Sequence, residues 1–410
     1  MKKLLNIGFS ILVFGGLLVS CNDDDYHTIE SIDKIKIDSV KIVNDTMDVF
    51  AIQSIKTYST YPSHCEGFYG YDYIYNNNLN AVHYYNANLD APTGNFAGVD
   101  TRSQFARTDA GVRVNDNVSN GIVLTNKDGS YFKSLTLKLE LPYNKGLFGS
   151  FAWTTSNAKD FMSAGSIASG SWTSARAING NNDLSLSNSD FVSPNRLVGV
   201  FGYRLEYGKK TGGATSISIG YVGNQGNPFS YTISGDMNGD RVNNNELIFI
   251  PKDFQDIKFV PLTVGSRTYS EVEQQAAFWN YVNQDDYLKT RRGKYAERNA
   301  SFIPMLHRFD LSIVQDIFVN VKGKRNTIQI RADILNFGNM LNDNWGVSQR
   351  ATNPQILAFQ SVVNNQPTYR LATERFTDGT TGLITNTYSK NASVLDVWTA
   401  QLGIRYIFGK

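Results

Sequence analysis

Long stretches of this 410-residue chain alternate apolar and polar residues in strict period two, and that alternation restricts the fold more than any other feature. Arg196 to Tyr207 puts Leu197, Gly199, Phe201, Tyr203, Leu205 and Tyr207 on one face, with Arg204 and Glu206 on the other. Leu135 to Leu141, Thr215 to Tyr221, Arg308 to Ile313, Ile328 to Ile334 and Trp398 to Phe408 repeat the pattern. A period of two is that of a β-strand with unlike faces. Several of these segments run to about ten residues or more. Strands of water-soluble domains usually run to about 5–6, whereas about 9–11 tilted residues cross a bilayer. Lys138, Arg204, Arg331 and Arg405 all fall in phase with polar neighbours. On a lipid-facing side each would cost roughly 2–4 kcal/mol at mid-membrane, and a one-residue slip would turn all of them outward. A membrane β-barrel is the expectation. A soluble β-sandwich alternates equally well, so alternation alone leaves that alternative open.

Connection lengths point the same way. Tight turns at 142–146, 208–213 and 322–326 are separated by long polar stretches at about 157–194, 225–304 and 338–393. Outer-membrane barrels alternate short inner turns with long outer loops in this manner. Past residue 20 no apolar run approaches the roughly 20 residues of a membrane helix, which excludes a polytopic helical protein. Charged residues make up 19% and aromatics 12% of the chain, with 34 glycines, a balance suited to β-structure. A net charge of +2 without a basic cluster argues against a nucleic-acid partner.

Residues 1–20 read as an export signal: Lys2 and Lys3, an apolar run from Leu4 to Leu18, then a small residue before Cys21. Leu18-Val19-Ser20-Cys21 resembles the lipobox of bacterial lipoproteins, which implies cleavage before Cys21 and lipidation of its thiol. The acidic run Asp23-Asp24-Asp25 resembles a surface-export signal of some lipoproteins. With Cys21 lipidated, Cys65 has no intramolecular partner and no disulfide framework is expected. Residues 21–78 are assigned to a small β-rich module, containing the alternating run Lys34 to Val43 and a Tyr-rich segment from Thr57 to Tyr75. Residues 79–410 form the barrel-like part, a predicted antiparallel meander of about 8–10 long strands.

Four blocks of that part resemble the C-terminal barrel of TonB-dependent outer-membrane receptors of the Oar-like and SusC-like kinds. They are Gly235 to Asp240 continuing to Pro251, Asp285 to Asn299, Gly323 to Asn339, and the terminal strand Gln401 to Phe408. The resemblance implies an outer-membrane location in a Gram-negative bacterium and uptake of a large nutrient. It also implies that Gln401, Gly403, Tyr406 and Phe408 form the pattern read by the barrel-assembly machinery. Members of that family are about twice as long, with a plug, a TonB box and a 22-stranded barrel. Neither plug nor TonB box is found here, so the expectation is a partial receptor behind a lipoprotein leader, not an autonomous transporter. Its unpaired edges would call for a second barrel fragment or a surface lipoprotein as partner, besides outer-membrane lipid. The alternative from another class is a lipid-anchored surface protein that binds a glycan or peptide through Thr57–Tyr75.

Nothing in the sequence supports catalysis, and no cofactor is expected. Asp236, Asn238 and Asp240 have the 1-3-5 spacing of a calcium loop. Arg241 stands where that loop has glycine, however, and Leu247 where it has its bidentate glutamate, so a polar outside loop is expected and no metal. His27, His64, His83 and His307 lack the spacing of a zinc site. Asp285 and Asp286, close to Arg291 and Arg292, read as a solvated charge cluster. Ser270 to Glu273 is a capping box opening a short helix to about Val282, expected to bury Val272, Ala276 and Trp279.

Overall fold

A computed structural model describes residues 68–208, 211–391 and 393–409. The export signal, Cys21 and the alternating run 34–43 lie outside the described residues. Eight long strands form one antiparallel sheet: β1 (Phe68–Asn78), β2 (Ser130–Asn144), β3 (Leu147–Asp160), β4 (Asn195–Tyr207), β5 (Gly212–Asn224), β6 (Leu306–Val321), β7 (Lys324–Leu335) and β8 (Thr399–Ile407). They pair in chain order, each with the next, as a meander. Every alternating segment read from Leu135 onward is one of these strands. β1 is an addition: its residues were assigned to the N-terminal module, yet Phe68–Asn78 pairs along its whole length with Ser130–Glu140. The expected boundary between residues 78 and 79 falls at the end of this strand.

The register carries the two faces unbroken from strand to strand. Leu141, Gly149, Phe201, Ile219, Leu311, Ile334 and Ala400 stand opposite one another in a single row. The neighbouring row on the other face runs Gly202, Ser218, Ser312, Asp333, Gln401. On the apolar face the charged strand residues are Lys133, Lys159 and Lys324, all in the end turns of their strands. Lys133 lies over the Tyr75 and Tyr131 rings, at 5.3 and 4.8 Å, an amphipathic arrangement suited to a membrane interface. The apolar face is open: Phe201 is 57% exposed and Leu402 81%.

Two of the short connections are two-residue turns with both residues at positive φ, Lys145-Gly146 (49° and 97°) and Lys322-Gly323 (51° and 81°). This geometry matches the twist of long hairpin strands. A Cβ on Gly146 would stand 2.3 Å from the Arg204 carbonyl oxygen, so only glycine fits.

The packed core is elsewhere. Both clusters of buried apolar residues belong to the long connections at the other end of the sheet. The larger gathers Phe96, Tyr231 to Ala296 and Ile356 to Ile384; the smaller gathers Met162, Trp172, Leu184 and Val242. Stretches that read as polar loops therefore fold into a layer with its own interior. Helix α1 (Glu271–Gln284) belongs to it, and its capping box between Ser270 and Glu273 is formed as expected. Its buried face differs from expectation. Val272 is 67% exposed and Ala276 also faces out, while Gln274 and Gln275 are buried beside Phe278, Trp279, Tyr281 and Val282. The reason is hydrogen bonding. Gln274 Nε2 donates to the Val260 carbonyl at 2.8 Å and its Oε1 accepts from the Leu371 amide at 3.0 Å. Gln275 Nε2 donates to the Ile257 carbonyl at 3.0 Å. Two amides thus satisfy backbone groups that an apolar pair would have left orphaned.

Candidate functional site

The polar face of the sheet is a built electrostatic surface. Arg204 on β4 forms an ion pair with Asp316 on β6 at 2.8 Å, bridging across β5, and donates to Ser216 Oγ on that strand at 3.2 Å. Gln329 on β7 donates to Asp316 at 2.9 Å, and Arg325 on β7 reaches Glu206 on β4 at 3.1 Å. Lys138 pairs with Glu140, and Arg331 with Asp333, each along one strand at 2.6 Å. Mixed charges at this density suit a wet lumen.

Terminal strand β8 ends the sheet. Gln401 and Gly403 stand opposite Asp333 and Arg331 on the polar face. Tyr406 stands opposite Ile328 on the apolar face and meets Phe408 edge-on, with ring centroids 4.7 Å apart. The four residues of the expected assembly pattern thus divide into two polar-face positions and two aromatics, the last of them, Phe408, just past the end of the exposed strand. Among the described residues, β8 pairs only with β7, and β1 only with β2.

In the loop layer two groups of carboxylates are held quite differently. Asp285 and Asp286 do not form a solvated cluster. Asp285 is buried and all its acceptor positions are occupied: Oδ1 accepts from the Tyr287 and Leu288 amides at 3.0 and 2.8 Å, and Oδ2 from the hydroxyls of Tyr231 at 2.5 Å and Thr387 at 2.9 Å. It ends α1 and ties it to the start of its own connection, at Tyr231, and to the β7–β8 connection, at Thr387. Burial, with the Asp285 charge adding, pushes the Tyr231 hydroxyl far above its usual range. Asp286 is exposed and pairs with Lys289.

The second group is the turn from Asp236 to Glu246. Asp236 Oδ1 accepts from the Gly239 amide at 2.8 Å and its Oδ2 from the Arg241 amide at 3.2 Å. Asn238 Oδ1 accepts from the Asp240 amide, and Asp240 Oδ1 from the Val242 amide, both at 2.9 Å. Arg241 adopts φ +69°, the conformation for which this loop type uses glycine. The spacing argument did not count Glu246. It comes back under the turn, Oε1 accepting from the Met237 and Asn238 amides at 2.9 and 3.1 Å. Asp236, Asp240 and Glu246 then offer carboxylate oxygens within 4.8 Å of one another. Burial pushes the Asp240 carboxyl up to about 6 and Glu246 up to about 8, the charge of the neighbouring carboxylate adding in each case. A search for an acidic residue one position short of the usual one would have found Glu246.

With sheet and loop layer in view, comparison with known proteins decides the class. A family model described as an outer membrane beta barrel domain matches residues 69–391, from the first strand through most of the last long connection. The chain belongs to that family. This outer-membrane barrel domain therefore resides in the outer membrane of a Gram-negative bacterium, with its apolar face to lipid and its polar face to a lumen. The match begins at residue 69, one residue into β1. No curated protein and no solved structure matches the chain.

Proposed function

We propose that this outer-membrane barrel domain supplies strands and outer loops of a receptor of the TonB-dependent kind, admitting a large nutrient through its lumen. The observation that carries this reading is the division of labour in the fold. The long sheet keeps its two faces for lipid and water, while the packed core lies in long loops at one end, where a large ligand would be met. The resemblance of the four sequence blocks supports it. Eight strands closed on themselves would fill their interior with side chains. Passage of a large nutrient therefore requires further strands, from a second chain or from residues outside those described here.

Migration of the protein from urea-washed outer membranes, boiled and unboiled, tests the reading. A compact band that slows on boiling, at a mass larger than one chain, is the expected result. A compact band at the mass of one chain would mean an eight-stranded barrel without room for a nutrient, and would end the transport reading. Removing Tyr406 to Lys410 should abolish the compact band; unchanged yield would show that assembly does not use this terminus.

A further inference from the structure

The β7–β8 connection turns back onto the lipid-facing side of the sheet. Asn336, directly after β7, adopts φ +52° and redirects the chain. Its amide donates to Asp310 Oδ1 at 2.7 Å, which fixes the bend to β6. Helix α2 (Phe337–Leu341) follows, and its Gly338 is buried. A side-chain carbon on Gly338 would stand 3.9 Å from the Phe309 ring and 3.8 Å from Trp345 Cβ, so helix, ring and tryptophan lie in one layer of contact. Phe309 belongs to the apolar face. It stands opposite Tyr221 on β5, with the two ring centroids 4.8 Å apart. This stretch of the connection therefore packs on the side of the sheet that meets lipid, not over the lumen.

The surface it presents there is apolar. Leu341 is 62% exposed, Trp345 56% and Trp398 45%, and Met340 is exposed beside them. Trp398 precedes β8 in phase with Ala400 and Leu402 of the apolar face. The backbone under these side chains is paired internally. Asn339 and Trp345 donate to the Asn336 and Asn342 carbonyls at 2.9 and 3.0 Å, and Asn342 donates to the Gly338 carbonyl at 3.0 Å. Asn339 joins the two tryptophan segments: its Nδ2 donates to the Trp345 carbonyl at 3.0 Å, and its Oδ1 accepts from the Trp398 amide at 3.2 Å. Asn336 Nδ2 adds bonds to the Gly346 and Asp396 carbonyls at 3.1 and 3.0 Å. Paired backbone beneath exposed tryptophan and leucine suits surroundings poor in water. The height agrees. Roughly ten residues of a strand tilted about 40° rise about 25 Å, the height of the apolar band of an outer-membrane barrel. Counted outward from Val319, just above the inner turn, that stretch ends at Phe309.

We propose that Met340, Leu341, Trp345 and Trp398 form a membrane foot of the β7–β8 connection, seated at the boundary of headgroups and acyl chains in the outer leaflet. Two observations select lipid as the occupant: the patch is continuous with the lipid-facing rings of Phe309 and Tyr221, and it lies at the outer limit of the apolar band. Tryptophan is favoured at that depth because its ring is apolar while its indole N–H finds a polar partner. The foot holds one long connection at the rim of the sheet, beside the β8 edge. The inference rests on the outer-membrane location and the lipid-facing side, and is independent of transport.

The test places the full chain in phosphatidylcholine vesicles whose acyl chains carry bromine either near the headgroup or near the methyl end. Trp153→Phe first removes the tryptophan that stands between Leu137 and Leu197 on the apolar face. Bromine near the headgroup is expected to quench the remaining fluorescence more strongly than bromine near the methyl end. Adding Trp345→Phe and Trp398→Phe should remove about half or more of that quenching, because Trp172 and Trp279 are buried inside the loop layer. Quenching unchanged by the two substitutions would overturn the proposal, since the rings would then stand in water or under protein. Should the variants not assemble, the wild type in its native outer membrane is labelled with a bilayer-soluble diazirine. Carbene adducts on residues 337–345 are expected, and their absence counts against the foot.

Discussion

Asp285 shows how much a single side chain can organise. Its two oxygens accept four hydrogen bonds, two from neighbouring backbone amides and two from hydroxyls distant in sequence, Tyr231 and Thr387. Asp285→Ala leaves those donors without a partner at roughly 1 kcal/mol or more for each. We expect a loss of at least about 3 kcal/mol, read as a fall in the denaturant midpoint for protease resistance of the loop layer. Asp286→Ala, at an exposed pair with Lys289, should change it by no more than about 0.5 kcal/mol. His83 gives a pH response of definite sign. It is buried in the Ala81–Asn86 strand, its Nδ1 has no partner, and burial, aided by the Lys127 charge, lowers its pKa below 6.5. The folded state then holds neutral imidazole. Its stability is intact above the ordinary pKa and falls as pH drops below about 6.5, where the unfolded chain takes up the proton first. Amide protection in the paired strands 81–86 and 122–127, taken relative to the intrinsic exchange rate at each pH, should weaken between about pH 7.5 and pH 5, and His83→Gln should flatten that response. An unchanged response in the variant would assign it to other groups. Adjacency in sequence suggested none of this: Asp285 and Asp286 look alike as letters, and only the packing around α1 separates them.

At the scale of elements, the strands were legible because lipid and lumen impose opposite chemistry on alternate residues over a length of ten or more. Ile217 and Ser218 are neighbours on β5 with opposite surroundings. Ile217 stands between Tyr203 and Ile313, and Ser218 between Gly202 and Ser312. Ile217→Arg should destabilise the assembled protein by about 2–4 kcal/mol, whereas Ser218→Arg should be nearly neutral. The urea concentration needed to lose the compact electrophoretic band measures both. Equal effects would mean that this sheet does not face lipid. The α1 face was misread for the opposite reason. Its buried side includes two glutamines whose value lies in the carbonyls and amides they meet, and periodicity of apolar residues carries no record of hydrogen-bond partners.

For the whole molecule the governing constraint is the sheet edge. Backbone groups in hydrocarbon must be paired, and the outer edges of β1 and β8 have no strand beside them among the described residues. A membrane-embedded state therefore joins those edges to each other or to further strands. A cysteine pair replacing Tyr71 and Ile404, both on the apolar face, distinguishes the two. A disulfide within one chain means direct closure. Failure to form it, together with a compact species larger than one chain, means strands inserted between the edges.

Sequence by itself determined the alternation in six of the eight strands, the phase of the charges within it, the short and long connections and the helix cap. Each is a local consequence of period, turn chemistry or cost in lipid, which neighbouring residues record. Only the tertiary structure decided that Phe68–Asn78 joins the sheet, that the polar connections contain the packed core, and that Glu246 comes back under the turn beside Asp236 and Asp240. Those depend on which distant segments come together: strand partners are chosen across some 50 intervening residues, from Asn78 to Ser130, and buried oxygens converge through backbone turns rather than through sequence spacing.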